Sequence, residues 1–165
     1  MRVLLLLLSL SFLSANASQD HINDARFSFP EISKDGDQLE DLVLLLKGEK
    51  SALGRAYRGA FILMSAEHTS YPLRKYNRFT KGRDILDLAI DASPSNPEIR
   101  YIRILIQSET PSFLNYSKNI DGDVKQLIRH KKVLKKNSAL YKRVRQNLLK
   151  LDDLSTQNKK LIRSL

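Results

Sequence analysis

The stretch DILDLAIDASPSNPEIRYIRILIQ, residues 84–107, carries a helical period that stops at Ser93-Pro94 and restarts three residues later. Proline disfavours a helical conformation in the residue before it, which ends a helix at Ser93. Asn96 then offers a side-chain oxygen to the next helix, Pro97 suits its first position, and Glu98 lies beside its positive dipole end. A stop and a start this close define the corner of a packed helical hairpin. A chain punctuated in this way has to bury its apolar faces helix against helix.

The same period begins at Asp37. Leu39, Leu42, Val43 and Leu46 recur at three- and four-residue spacing, with Asp37 as cap and Gly48 as stop. A second helix starts near Ser51 and shows Leu53, Ala56, Tyr57, Ala60 and Met64 on one side. Gly54 and Gly59 lower its helix propensity, which close approach of a neighbouring helix would offset. After a loop at 67–71, Pro72 opens a third helix that runs to about Ala92. Its core face is Phe79, Leu86, Ala89 and Ile90, its basic stripe is Arg74, Arg78 and Lys81, and Gly82 is either a weak point or a contact site. The helix after Pro97 is apolar almost all round, with Arg100, Arg103 and Gln107 as its polar strip, so it belongs at the centre of the fold. Thr110-Pro111 repeats the cap-then-proline device before a short piece at 112–116. A turn at Asp121-Gly122 leads into three further helical segments, about 123–136, 138–151 and 154–164. No segment alternates like a strand between hairpin turns. The expected fold is therefore all-α, antiparallel helical hairpins in an array or bundle.

The chain opens MRVLLLLLSLSFLSANA, with a cation at Arg2, an apolar run from Val3 to Leu13, and small residues at Ala15 and Ala17. That is the layout of a secretory signal peptide cleaved near Ala17, and the run is too short for a membrane span of about 20 residues. The expected organisation is a signal peptide at 1–17, an extended polar arm at 18–36 and one helical domain at 37–165, in a periplasmic or secreted protein. The absence of cysteine excludes disulfides, thiolate metal sites and a thiol nucleophile.

The net charge of +10 is concentrated after residue 117, where fourteen Lys and Arg face four acids. Any electrostatic partner therefore belongs to that third. At about 100° per residue, Lys125, Arg129, Lys132 and Lys136 share an arc about 60° wide, away from Val124, Leu127, Ile128 and Leu134. Lys142, Arg143 and Arg145 continue the charge onto the next helix. Lys131 and Lys135 fall inside the apolar arc, so that helix is shallowly packed or ends near His130. The ordinary reading of such a face is solvation, and the functional one is binding of an acidic protein, an anionic glycan or a lipid headgroup surface. Export disfavours nucleic acid as native ligand. With no tryptophan and only Tyr141 on these helices, base stacking and bilayer anchoring have little aromatic support. Arg100 and Arg103, one turn apart on an apolar helix, grip a partner's carboxylate or, on the favoured reading, pair internally with Asp87 or Asp91.

Little else points to chemistry. His21, His68 and His130 lie more than forty residues apart and lack ligand-spaced partners. Asp35-Gly36-Asp37 and Asp121-Gly122-Asp123 lack the later oxygen ligands of a calcium loop and read as turns with helix caps. Glu40 with Asp41, and Asp84, Asp87 and Asp91, have the spacing of solvated or ion-paired helical acids. No strand–Ser–helix elbow or glycine-rich phosphate loop is present. No catalytic residue, metal ligand or cofactor is assigned.

Gly82, Leu86, Ala89 and Pro94 fall where the second helix of a tetratricopeptide repeat has its small residue, its aromatic, its alanine and its closing proline. Leu53-Gly54 with Tyr57 resembles the Leu-Gly-x-x-Tyr of a first helix. Residues 51–107 thus resemble a tetratricopeptide-like hairpin, with Gly82 and Leu86 in place of the usual alanine and phenylalanine and with 66–81 longer than a 34-residue period permits. The resemblance implies protein–protein binding on a concave helical surface and carries over no ligand-contacting residue. The run NPEIRYIRILIQ with its Pro-Ser-Phe-Leu sequel is similar to one in small uncharacterised exported proteins of Bacteroidota. The expected function is an exported, non-enzymatic interaction module. The alternative is an electrostatic binder acting through 118–150, and a third reading is a hydrolase whose site assembles only on folding.

Overall fold

The computed structural model describes residues 18–152 and 154–165. The signal-peptide reading falls on residues 1–17, outside them. Among the described residues every regular element is helical, so the fold class is all-α as expected.

The first element corrects the sequence reading. Residues 18–28, expected as an extended arm, form a helix, α1, and a 3₁₀ turn follows at Glu31–Lys34. Ile22, Ala25 and Phe29 are buried. They sit three and four positions apart, an apolar stripe just wide enough to seat a helix in an otherwise polar segment.

Next come α2 (Gly36–Leu45), α3 (Ala52–Ser65) and α4 (Pro72–Ala92). The cap of α2 is Asp35, not Asp37: its carboxylate accepts from the Gln38 N–H at 3.0 Å. Ser51 caps α3 in the same way through the Gly54 N–H. The corner at 93–96 is formed as its residues require, with α4 stopping at Ser93 and α5 (Pro97–Glu109) starting under the Asn96 side chain. That side chain accepts from the Glu98 and Ile99 N–H groups at 2.9 and 3.4 Å.

Thr110 does not cap the following piece. Its hydroxyl donates to the Ile106 carbonyl and closes α5 from behind, and a 3₁₀ turn follows at Ser112–Leu114. The Asp121-Gly122 turn is also corrected. Both residues lie in the first turn of α6 (Ile120–Arg129). The segment expected as 123–136 breaks at His130 into α6 and the short α7 (Lys131–Leu134). The break lets Leu134 reach the interior at 2% exposure while the Lys131 ammonium donates to the Ser164 carbonyl. A continuous helix would have put Lys131 and Lys135 into the apolar side. Two helices, α8 (Ser138–Leu149) and α9 (Thr156–Arg163), complete the fold.

The most extensive packing is that of α3 on α4, and it turns on Gly59 and Gly82. A Cβ at Gly59 would lie 2.8 Å from the Gly82 carbonyl oxygen, and one at Gly82 would lie 2.7 Å from the Gly59 oxygen and from the Leu63 nitrogen. The helix-propensity cost of both glycines is thus offset by direct backbone approach. Beyond the corner, α5 packs mainly on α6 and α3 and buries residues from Pro97 through Gln107 on nearly every side. The base of the core is aromatic. Phe29 stands edge-on to Tyr57, Phe61 and Tyr101 with ring centroids 5.8, 6.3 and 5.9 Å apart.

Candidate functional site

Arg100 and Arg103 project from α5 into an internal cluster. The Arg103 guanidinium donates to both Asp123 carboxylate oxygens at 2.7 and 2.8 Å and to Asp87 at 3.0 Å. Arg100 reaches the same Asp123 at 2.7 Å and the Pro94 carbonyl at 2.8 Å. The Tyr116 hydroxyl donates to Asp87 at 2.9 Å. Burial lowers the pKa of Arg103, but the bonds to Asp123 and Asp87 outweigh it and hold the guanidinium above its ordinary value. The pair therefore does not present itself to a partner's carboxylate. Internal pairing with Asp87 is as expected, and the dominant partner is Asp123, read from sequence as part of a turn.

A second buried cluster ties α1 to the core. Arg26 donates to Glu98 through two nitrogens at 2.7 and 3.0 Å, and the Tyr57 hydroxyl donates to the same carboxylate at 2.7 Å. The hydrogen bond to Glu98 raises the pKa of Arg26, and burial holds the Tyr57 phenol well above its ordinary value. From the other side, the Arg143 guanidinium donates to the Arg26 and Phe27 carbonyls at the end of α1. Arg143, singled out in the sequence as part of the basic surface, is a clamp.

A groove of about 890 Å³ lies between the 3₁₀ turn after α1, the end of α3, the start of α4, the end of α5 with the 3₁₀ turn that follows it, and the end of α8. Phe29, Leu63, Ala66, Phe79, Leu105 and Ile106 are its buried lining, and Tyr76 and Phe113 are exposed at its edge, 57% and 82%. None of the buried polar residues Ser65, Glu98, Arg103, Gln107, Asp123 and Asn158 lines it. The charged residues around it, Glu31, Glu67, Lys75, Glu109 and Lys150, are all exposed. A volume of this size lined mainly by apolar side chains, with the half-buried Ser33, Thr110 and Asn147 among them, is the usual form of a binding site for a largely apolar group.

The other sequence-predicted residues lie elsewhere. Lys125 and Arg129 on α6, Lys132 and Lys136 around α7, and Lys142 and Arg145 on α8 are all exposed, and none lines the groove. A second, polar depression of about 630 Å³ involves Gln107, Ser112, Asp121 and Asn158. Both amide atoms of Gln107 are inaccessible and have no hydrogen-bond partner among the described residues, so a molecule in the depression does not touch them. Among the described residues no cluster of three His, Cys, Asp or Glu is placed to hold a metal ion, and no helix is long and apolar enough to cross a membrane.

No family model, curated protein or solved structure matches the chain. Sequence reasoning expected binding on a concave helical surface but named none of the residues of this groove, because its walls come from five separate segments. Asp123 left a signal: an acid three residues after Ile120 and four before Leu127 lies on the apolar side of its helix, where only a partnered charge is tolerated.

Proposed function

We propose that the protein is an exported, non-catalytic binding module that holds an apolar segment of another protein in the groove between α3, α4, α5 and α8. The observation that carries this reading is the groove itself: an apolar volume of about 890 Å³ with exposed Tyr76 and Phe113 at its edge. Exposed aromatics beside a hydrophobic recess are the usual anchors of a protein interface. A tetratricopeptide-like origin of the α3–α4 hairpin is in keeping with a concave binding surface. Support for a non-catalytic role comes from the internally paired ionisable groups. Glu98 accepts from Arg26 and Tyr57, and Arg103 donates to Asp87 and Asp123, and none of the six lines the groove.

The test is a pull-down of the protein from its native envelope fraction, identification of the captured protein, and titration of the purified pair. Phe113→Asp and Tyr76→Ser alter only exposed side chains, so circular dichroism should stay the same while affinity falls about tenfold or more. Unchanged affinity in both variants would move the binding surface away from the groove. The address is checked separately: protein recovered outside the cytoplasm should have the intact mass of a chain starting at Ser18.

A further inference from the structure

The ion pairs of this protein are unevenly distributed, and the imbalance points to a second surface independent of the groove. Every ion pair among the described residues takes its cation from Arg26, Arg78, Arg83, Arg100 or Arg103. Among the described residues, none of the fourteen Lys and Arg after residue 117 takes part in one. The acids of that third are also partly withdrawn. Asp123 is 1% exposed and committed to two arginines of α5, and the Asp121 carboxylate accepts from the Asn158 amide.

Local packing turns the cations outward. On α6, Val124 and Leu127 are buried while Lys125 and Arg129, one turn apart, are exposed. On α8, Leu140, Val144 and Leu148 are buried while Lys142 and Arg145 are exposed. Between these helices, the turn of α7 exposes Lys132, Lys135 and Lys136 together with Val133, an aliphatic side chain left 52% exposed among them.

We propose that the surface built by α6, α7 and α8 docks on an anionic lipid bilayer. Charge complementarity supplies the attraction, since four to eight clustered Lys and Arg are enough to hold a protein at an acidic membrane. Two features select a bilayer over a dissolved polyanion. The exposed cations of α6 to α8 are five lysines and two arginines, and ammonium point charges suit mobile headgroups better than the fixed bidentate geometry that arginine supplies. Val133 sits among the lysines of α7, where a polyanion in water offers it nothing and the headgroup boundary buries it. The basic helices carry no exposed aromatic, as Tyr141 is half-buried with the Lys135 ammonium 5.4 Å from its ring centroid. Adhesion is therefore peripheral, reversible and salt-sensitive.

The experiment uses residues 18–165, which contain every described element, and sucrose-loaded vesicles of phosphatidylcholine alone or with about 40 mol % phosphatidylglycerol. Binding constants from co-sedimentation should be at least about tenfold larger with the anionic lipid and should fall several-fold between about 50 and 200 mM salt. Joint replacement Lys125→Glu, Arg129→Glu, Lys132→Glu and Lys136→Glu should abolish sedimentation with circular dichroism unchanged. The corresponding four glutamines should weaken it about tenfold and serve if the reversed protein does not fold. Val133→Ser should weaken vesicle binding about twofold to fivefold and leave binding to soluble polyphosphate unaltered. Equal binding to neutral and anionic vesicles, or insensitivity to the folded charge variants, overturns the proposal. Tighter binding to polyphosphate than to anionic vesicles at equal charge concentration, with no effect of Val133→Ser, replaces the bilayer by an anionic polymer.

Discussion

Asp123 ties α6 to α5. It is 1% exposed, and three of its hydrogen bonds come from Arg100 and Arg103. Removing one partner of a buried pair leaves the other charge without compensation, so Asp123→Ala is expected to cost about 3–5 kcal/mol. Arg103→Met should cost less, because Asp123 keeps Arg100 and a methionine fills the space. Chemical denaturation of the two variants measures the difference, and the reverse order would show that Arg100 does not compensate. The buried phenols set a second, pH-dependent limit. Burial raises the pKa of Tyr57, Tyr101 and Tyr116 above the ordinary value of 10.0. Below pH 10 each phenol is neutral in both folded and unfolded chains and contributes no pH dependence. Above it the unfolded chain releases protons that the folded chain retains, so stability falls as pH rises. Phenolate absorbance should therefore show a late step that coincides with loss of helix, and early ionisation of all six tyrosines in a fully helical protein would contradict this.

At the scale of helices, the corner and the glycine crossing make distinct demands. Asn96→Ala removes a cap from α5 and should cost about 1 kcal/mol, whereas Ile102→Ala opens a cavity at a side chain with 0% exposure and should cost about 2–5 kcal/mol. Gly82→Ala tests the crossing. A methyl group cannot sit 2.7 Å from the Gly59 oxygen, so α3 and α4 must separate and the melting temperature should drop, by about 1–3 kcal/mol of stability. An unchanged or raised melting temperature, the usual outcome of replacing glycine in an exposed helix, would show that the helices do not meet there. The corner and half of the crossing were legible from sequence because each depends on local chemistry: a proline that disfavours a helical residue before it, and glycines inside a helical period. Of these, Gly59 meets the neighbouring helix as expected, Gly82 was read either way, and Gly54 meets the Glu49 side chain instead. α1 was not legible. Its apolar stripe has only Ile22, Ala25 and Phe29 in a polar segment, and what holds it is distant: Glu98, 72 positions from Arg26, and Arg143, 117 positions away. The break at His130 was half-visible, in lysines falling on the wrong side of a continuous helix. The residues of the groove were not read from sequence, although a concave binding surface on the hairpin was expected, because no one element contains it, whereas the exposed cations of α6 to α8 were read at the positions they occupy.

Across the whole molecule, those distant ties decide whether the chain behaves as an array of hairpins or as one bundle. In an array each unit contacts only its neighbours, stability is close to a sum of local terms, and the first part survives loss of the last. Here the last third completes the first two. Asp123 neutralises Arg100 and Arg103, the Asn147 amide donates to the Tyr101 hydroxyl at 2.8 Å, and Arg143 holds the end of α1. Val124, Leu127, Val144, Leu148 and Ile162 are each at most 1% exposed and belong to the same core as Tyr57 and Phe61. A chain ending at Ser117 would leave two arginines of α5 without Asp123 and the face of α5 that meets α6 in water. Residues 18–117 are thus expected to retain helical circular dichroism without a cooperative melt and without dispersed amide resonances, while residues 18–165 unfold in one transition seen alike by helix and aromatic signals. A shorter chain that melted cooperatively near the temperature of the longer one would establish independent stability for the α3–α4 hairpin. The charge surface of α6 to α8 would then be an appendage rather than the part that closes the core.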